Sequence, residues 1–248
     1  MTKAEDPART VERAIARHPG EPRRGDRGEN RIPPAVAVIV AAALYALLPD
    51  PVRLGPRVIV AGIEAVLLVS LLITNPRRMT RETRASRVVS LLLAALVAVT
   101  NLVALGLLVA DLVSGRAAQA QSLLLAGLQV WLTGVIGFGL IYWELDRGGP
   151  VSRASRTRSA LPAADWRFSQ DENDDTVVEV AKSASGKAGW VPEFVDYLYL
   201  SLTNSSAFSP TDTMPLTTRA KLLMGVQAMA ALLVTLVIVA RAVGAIQQ

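Results

Sequence analysis

Apolar residues in this chain neither alternate with polar ones nor gather on one helical stripe; they come in long unbroken runs separated by charged segments. Where no water is at hand to satisfy peptide groups, a crossing segment must be a helix or part of a closed barrel, and barrel strands alternate. The runs therefore predict helices. Five are expected: about Pro33 to Leu48, ended by Pro49-Asp50-Pro51, then about Arg57 to Thr74, Val88 to Leu112, Ser122 to Trp143 and Leu216 to Ile246. The first two form a helical hairpin, and Tyr142-Trp143 sits where a headgroup belt is expected. One further apolar stretch, Phe194 to Leu202, is too short to cross. A polar turn and then the full-length last run follow it, a pattern that predicts a re-entrant half-helix. Pro192 and Glu193 suit its first turn, through fixed φ and negative charge.

The expected fold class is thus all-α: a polytopic helical membrane protein with about five transmembrane helices plus a re-entrant half-helix. Three parts are read along the chain. Residues 1–32 are a disordered basic tail, with breakers such as Pro7, Pro19, Gly20 and Pro22 and no secretory leader pattern. Residues 33–121 are a three-helix N-terminal membrane part. Residues 122–248 are a membrane module carrying a polar insert at 144–191. The insert is read as a linker or small cap, with Thr176 to Val180 a candidate strand.

Composition narrows function mainly by exclusion. The chain has 248 residues, 51% of them hydrophobic, no cysteine and one histidine, His18. Disulfides, thiolate nucleophiles, Cys/His metal sites and histidine-based acid–base catalysis in the membrane body are set aside, so neither metal, cofactor nor enzymatic activity is expected. An intramembrane serine enzyme is the weakest class, because the only lysine in a span is Lys221. The net charge of +5 is explained by arginines flanking the apolar runs, without interleaved aromatics to stack bases, so nucleic acid is not an expected partner. Arginine over lysine, with abundant alanine, fits a bacterial plasma membrane. Eight basic residues lie in the tail, five in the connector from Arg77 to Arg87 and seven in the insert, against two in the first turn and one near Arg116. By the positive-inside rule the tail, that connector and the insert are cytoplasmic, the N-terminus included.

The last third carries a specific resemblance. The stretch from Ser201 to Thr217, SLTNSSAFSPTDTMPLT, lies without gaps on the pore-helix-to-filter segment of tetrameric potassium channels, with Asp212 on the aspartate that closes the filter and Pro215-Leu216-Thr217 on the turn before the inner helix. The module resembles outer helix, pore helix, filter and inner helix, with the fourth span as outer helix. The filter is degenerate: Ser209 and Thr211 replace its two glycines, and Pro210 lies between them, so a row of potassium-selective carbonyls is not expected. The resemblance implies a homo-oligomer, a tetramer, passing monovalent cations with weak selectivity along a hydrated path. The filter-like residues are Thr203, Asn204, Ser205, Ser206, Ala207, Phe208, Ser209, Pro210, Thr211 and Asp212, the hydroxyls and the Asp212 carboxylate being the lining groups. It also implies that the half-helix enters from outside, against the charge rule. Two rivals stay open: a non-conducting scaffold or regulatory protein on the same fold, and an ordinary loop in which Ser209 caps a helix starting at Pro210.

Other polar residues are weighed individually. Glu64 lies within the second span, as a proton site, a partner for a basic side chain or a structural carboxyl. Asn101, Gln129 and Gln227 are read as hydrogen-bonding glue between helices, and Gly134, Gly137 and Gly139 as positions of close helix packing. Trp143-Glu144-Leu145-Asp146-Arg147 is read as a local ion pair, and the run Arg153 to Ser159 as a solvated linker, with acidic lipids as the alternative.

Overall fold

The computed structural model describes residues 28–75, 77–80, 82–114, 120–172, 177–206 and 212–246. Helix dominates: α1 (Ile32–Ala46), α2 (Arg57–Thr74), α3 (Arg84–Val113), α4 (Ala120–Leu145), the short α5 (Pro150–Ser155), α6 (Val178–Ala181) and α7 (Ser185–Ala188), then α8 (Phe194–Ser206) and α9 (Thr218–Ile246). Two-residue strands β1 (Glu29–Asn30) and β2 (Arg78–Met79) pair antiparallel, as do β3 (Trp166–Arg167) and β4 (Met214–Pro215). Among the described residues three helical stretches are long and apolar enough to cross a membrane, Arg84–Val113, Ser122–Gly148 and Thr218–Val243, while Ile32–Ala46 and Val58–Thr74 are shorter apolar helices.

Local chemistry sets the helix starts. Prolines stand in the first turn of α1, where their missing N–H costs nothing, and Asn30 Oδ1 accepts from the Ile32 N–H at 3.0 Å. Thr83 and Ser86 cap α3 reciprocally, each side chain accepting from the other's backbone N–H. At the far end of α1, the Tyr45 hydroxyl donates to the Leu54 carbonyl and accepts from the Leu54 N–H, closing the hairpin to α2. α4 stops at Gly148 and Gly149; Gly149 has φ +92°, and a Cβ there would strike the Arg87 guanidinium, so only glycine fits.

Two apolar clusters, one above the other, show the run of each helix. The first holds Ala37 and Val38 of α1, Leu68 and Leu71 of α2, Leu93 and Val97 of α3, Phe138 and Trp143 of α4, and Ala220 and Met224 of α9. The second holds Tyr45, Val60, Leu105 and Leu108, Leu123 and Val130, and Val234 and Val237 of the same five helices. Successive long helices therefore run antiparallel, each through both clusters. α8 contributes Phe194, Tyr197 and Leu200 to the first cluster and nothing to the second, so it reaches only half-way. α3 and α4 meet closely: a Cβ on Gly137 would lie 3.1 Å from the Ala98 Cα. Outward positions are apolar as well, among them Val58, Val66, Leu92, Val99, Leu222 and Leu236, the inverse of a water-soluble bundle.

Residues 28–31, the described connector residues 75, 77–80, 82 and 83, the described part of the insert and residues 212–217 meet at one end of the bundle, here called the capped end. Several expectations are corrected there. Of the two readings of the insert, linker or small cap, its described part follows the second, because Trp166 and Phe168 drive into the first cluster against Tyr142 and Tyr197. Val178–Ala181 is a helical turn instead of a strand, with Thr176 outside the described residues. Tyr142 and Trp143 are buried among protein groups and form no lipid-facing belt. Pro192 precedes the half-helix, which begins at Phe194 and runs past Leu202 to Ser206.

Candidate functional site: a half-helix held at mid-bundle

The buried positions of α8, namely Phe194, Tyr197, Leu200, Ser201, Asn204 and Ser205, recur at helical spacing and face α4 and α9. Its first turn is tied down by two carboxylates: Glu29 Oε1 accepts from the Phe194 N–H and Asp196 Oδ2 from the Glu193 N–H, both at 2.7 Å. Both satisfy donors that a helix start leaves open, and their charge suits the positive end of the dipole. Alongside α4, a Cβ on Gly139 would lie 3.3 Å from the Leu198 Cα, so the half-helix lies against bare backbone. Ser201 Oγ donates to the Val135 carbonyl at 2.7 Å.

At the inner end of α8 a single side chain gathers the polar groups. Gln227 of α9, 2% exposed, donates from Nε2 to the Ser201 carbonyl at 2.9 Å, to Ser201 Oγ at 2.6 Å and to Ser205 Oγ at 2.8 Å. Its Oε1 accepts from the Tyr142 hydroxyl at 2.5 Å and from Asn204 Nδ2 at 2.9 Å. Asn204 Nδ2 also donates to the Met224 carbonyl. One amide thus joins α4, α8 and α9 between the two apolar clusters, with all its own hydrogen-bonding capacity used. Beside it lies a cavity of about 20 Å³, room for one water, lined in part by Asn101, Gly134, Ser205 and Gln227.

The return path is anchored at the capped end. Asp165, fully buried, accepts from Arg219 Nε at 2.7 Å, from the second Arg219 nitrogen and from the Thr217 hydroxyl at 2.6 Å, while its carbonyl accepts from the Leu216 N–H at 2.8 Å. The Asp165 N–H donates to Asp146 Oδ1 at 2.7 Å. Asp146 takes three further contributions: Arg147 at 2.7 Å and the Tyr197 hydroxyl at 2.5 Å on Oδ2, and its own carbonyl bonded by Arg153. Arg153, 1% exposed, closes the C-terminus of α4 through the Trp143 and Asp146 carbonyls and stacks 4.8 Å over the Tyr197 ring. Acids and arginines here pair with one another as a structural lock on the half-helix, Arg153 keeping Nε and Nη2 without a hydrogen bond.

Glu29, the acid that ties down the start of α8, lies outside the long helices. Burial pushes its carboxyl up to about 7, against the opposing pull of Arg153, 3.5 Å away, and of the Trp143 and Phe194 N–H donors, with Glu193 adding repulsion. The folded carboxyl holds its proton more tightly than the unfolded one at 4.5, so its contribution to stability is full below pH 4.5 and is lost as pH rises through 7. Stability is expected to fall by about 1–3 kcal/mol between pH 5 and pH 8, and Glu29→Gln to flatten that dependence. Thermal unfolding in detergent at several pH values checks it; an unchanged slope in the variant contradicts it.

The residues singled out from sequence fall as follows. Asn204, Ser205 and Gln227 come together as described. Thr203 and Ser206 turn their hydroxyls back onto their own helix, to the Tyr199 and Leu200 carbonyls and to the Leu202 carbonyl. Asp212 is exposed and accepts from the Tyr199 hydroxyl at 3.3 Å. Ala207, Phe208, Ser209, Pro210 and Thr211 lie outside the described residues, but the last helix starts at Thr218, capped by the Thr217 hydroxyl, and not at Pro210. Glu64 is buried with Oε2 unbonded, Asn101 packs against Gly134, and Gln129 is half-buried. Asp146 and Arg147 do form the local pair, but Asp146 also reaches Tyr197 and Asp165. Sequence reasoning missed Tyr142, Ser201, Tyr197, Asp165 and Arg219; the only signal was an acid in the insert and a base opening the last helix, with nothing to pair them across 54 residues. Among the described residues no cluster of three or more His, Asp or Glu could hold a metal ion. Compared with known protein families, characterised proteins and solved structures, the chain matches none.

Proposed function

We propose that the chain is a multi-pass plasma-membrane protein of five crossings, α1, α2, α3, α4 and α9, in which α8 is a re-entrant pore helix, and that copies assemble around it into a weakly selective path for monovalent cations. The observation that carries this is the geometry of residues 194–206 and 212–217: a half-length helix enters the bundle beside α4, and the chain is back at the capped end by Met214, paired with Arg167. A helix C-terminus ending at mid-depth presents unpaired carbonyls, which favour cations. The cavity of one copy holds about one water, so the path runs between copies, past Ser206 and the Asp212 carboxylate, and the potassium-channel resemblance makes the assembly a tetramer. With basic residues of the connector and insert gathered at the capped end, that end and the N-terminus lie in the cytoplasm, and the half-helix enters from there.

The experiment is cation flux into vesicles reconstituted with the purified protein. Flux is expected, and Asp212→Asn is expected to lower it about tenfold by removing a ring of charge that concentrates cations. Absence of flux from correctly folded protein contradicts conduction. That outcome would favour a non-conducting scaffold on the same fold, a reading supported by the complete internal bonding of Gln227 and Asn204 and testable by partners that co-purify with wild type and Asp212→Asn alike.

A further inference from the structure

Not all of the cap is locked down. In the run from Arg153 to Ser159 the first arginine is drawn into the buried lock, but from Ser155 to Ala160 six successive residues are exposed. The backbone is extended at Arg156 and Thr157 and again at Leu161. The single turn between them, Arg158–Ala160, is closed by bonds from the Ala160 N–H to the Thr157 carbonyl at 3.0 Å and from the Leu161 N–H to the Arg158 carbonyl at 3.3 Å. Drawing this loop out straight therefore costs little. The Ser155 hydroxyl is turned back onto the Val151 carbonyl at 2.6 Å, whereas the Ser159 hydroxyl meets only that of Thr157, at 3.3 Å, among the described residues.

Charge along the loop is one-sided. Arg156 stands three residues before Ser159 and Arg158 directly before it, both exposed, and the sequence holds no acid from 148 to 164. An extended, exposed serine behind arginines suits the acidic substrate groove of an arginine-directed kinase. Arg158 also ties the loop to the half-helix. Its Nη2 donates to the Trp190 carbonyl at 2.6 Å, the Trp190 ring stands edge-on to Phe168 with centroids 5.7 Å apart, and α8 begins soon after at Phe194. A phosphate carries about two negative charges and three acceptor oxygens, and it holds a guanidinium more strongly than a neutral carbonyl does.

We propose that Ser159 is phosphorylated by an arginine-directed serine kinase, and that the phosphate takes Arg158 from the Trp190 carbonyl and so loosens the approach to α8. The kinase moves the γ-phosphoryl group of ATP to Ser159 Oγ: the P–O bond to serine forms as the bond to ADP breaks, and the hydroxyl proton passes to the enzyme's base. The Trp190 carbonyl is left to water, and the segment leading to Phe194 loses this tie to the cap. The site rests on the reading that places the capped end in the cytoplasm, where ATP is, and not on conduction.

The test is treatment of the full chain in detergent with an arginine-directed serine kinase and ATP, followed by peptide mass spectrometry and hydrogen exchange. Phosphate is expected on Ser159. Amides of residues 190–196 are then expected to exchange about threefold to tenfold faster, the scale set by one lost charge-assisted bond, and to slow again after phosphatase. Arg158→Gln, which keeps Arg156 for the kinase, is expected to show the faster exchange before phosphate is added and no further change after it; helicity by circular dichroism verifies folding. No phosphate on Ser159 overturns the proposal, as does a phosphorylated wild type whose exchange at 190–196 is unchanged. Phosphate that speeds exchange in Arg158→Gln as much as in wild type overturns it equally, because it then acts without Arg158. Detergent opens both faces to the kinase, so none of these outcomes depends on orientation. Labelling of Arg158→Cys from the non-cytoplasmic side of oriented vesicles would overturn the site separately, by placing it away from ATP.

Discussion

Asp165→Ala is expected to lower the unfolding free energy by about 2–3 kcal/mol, the cost of losing charge-assisted hydrogen bonds and leaving a buried hydroxyl without its acceptor. The residue is fully buried: its carboxylate holds Arg219 and the Thr217 hydroxyl, while its backbone, which alanine keeps, accepts from the Leu216 N–H and donates to Asp146. Removing it leaves the Thr217 hydroxyl without its acceptor and frees Arg219, which is half-exposed and can turn to water. The damage therefore falls on the β3–β4 pairing and on the exit of the hairpin from the bundle. Asp165→Asn keeps an acceptor for Thr217 and is expected to cost about half as much. Denaturant titration in detergent micelles measures both, with limited proteolysis showing cleavage first between residues 206 and 218 in the alanine variant. A loss below about 1 kcal/mol would mean that the pair is a surface contact of the kind that contributes little.

Gln227→Leu is the second large effect, about 3 kcal/mol. Interhelical hydrogen bonds inside bilayers contribute about 0.6 kcal/mol on average and rarely above about 1.7, so the bonds alone do not decide it. The larger part is what remains behind: the Tyr142 hydroxyl loses its one acceptor and Ser205 its donor, in a place with room for about one water. Each orphaned group costs about 1–3 kcal/mol. Asn204 is partly spared because it keeps the Met224 carbonyl. Gln227→Glu retains an acceptor for Tyr142 and Asn204 but loses the donors to Ser201, and is expected to fall between wild type and leucine. Thermal unfolding followed by helicity reads the order; a leucine variant as stable as wild type contradicts the role given to this amide.

The long helices are legible in the sequence because an apolar run has no other use at that length. The second run predicts Arg57 to Thr74 and α2 has those bounds; the others agree within a few residues, capping at Thr83 and Gly149 setting the difference. The half-helix is legible for the opposite reason, a run too short to cross. Its end is not, because Thr203, Asn204, Ser205 and Ser206 are polar and read as a turn. Their side chains bond α8 itself or α9, which lets the helix continue to Ser206.

The cap is not legible. Residues 144–191 are rich in charge and poor in apolar runs, the usual mark of a linker, and the large side chains that anchor the cap, Trp166, Phe168 and Trp190, are scattered along it. Burial of the first two depends on Tyr142 and Tyr197, which lie on two other elements, and the ion pairs that close the cap join positions 24 to 54 residues apart. No local pattern encodes such pairings. Glu29 is the sharpest case, an acid at the edge of a basic tail that proves to hold the half-helix start 165 residues later.

Everything rests on the half-helix and its return lying within the membrane and opening to one side. The chain has no cysteine, so single cysteines can be placed at will and labelled with a membrane-impermeant thiol reagent in oriented vesicles. Arg158→Cys, Glu193→Cys and Asp212→Cys are expected to react from the same side, and Leu47→Cys and Val113→Cys from the opposite one. Labelling of positions 193 and 212 from opposite faces would make the segment a full crossing and contradict the account.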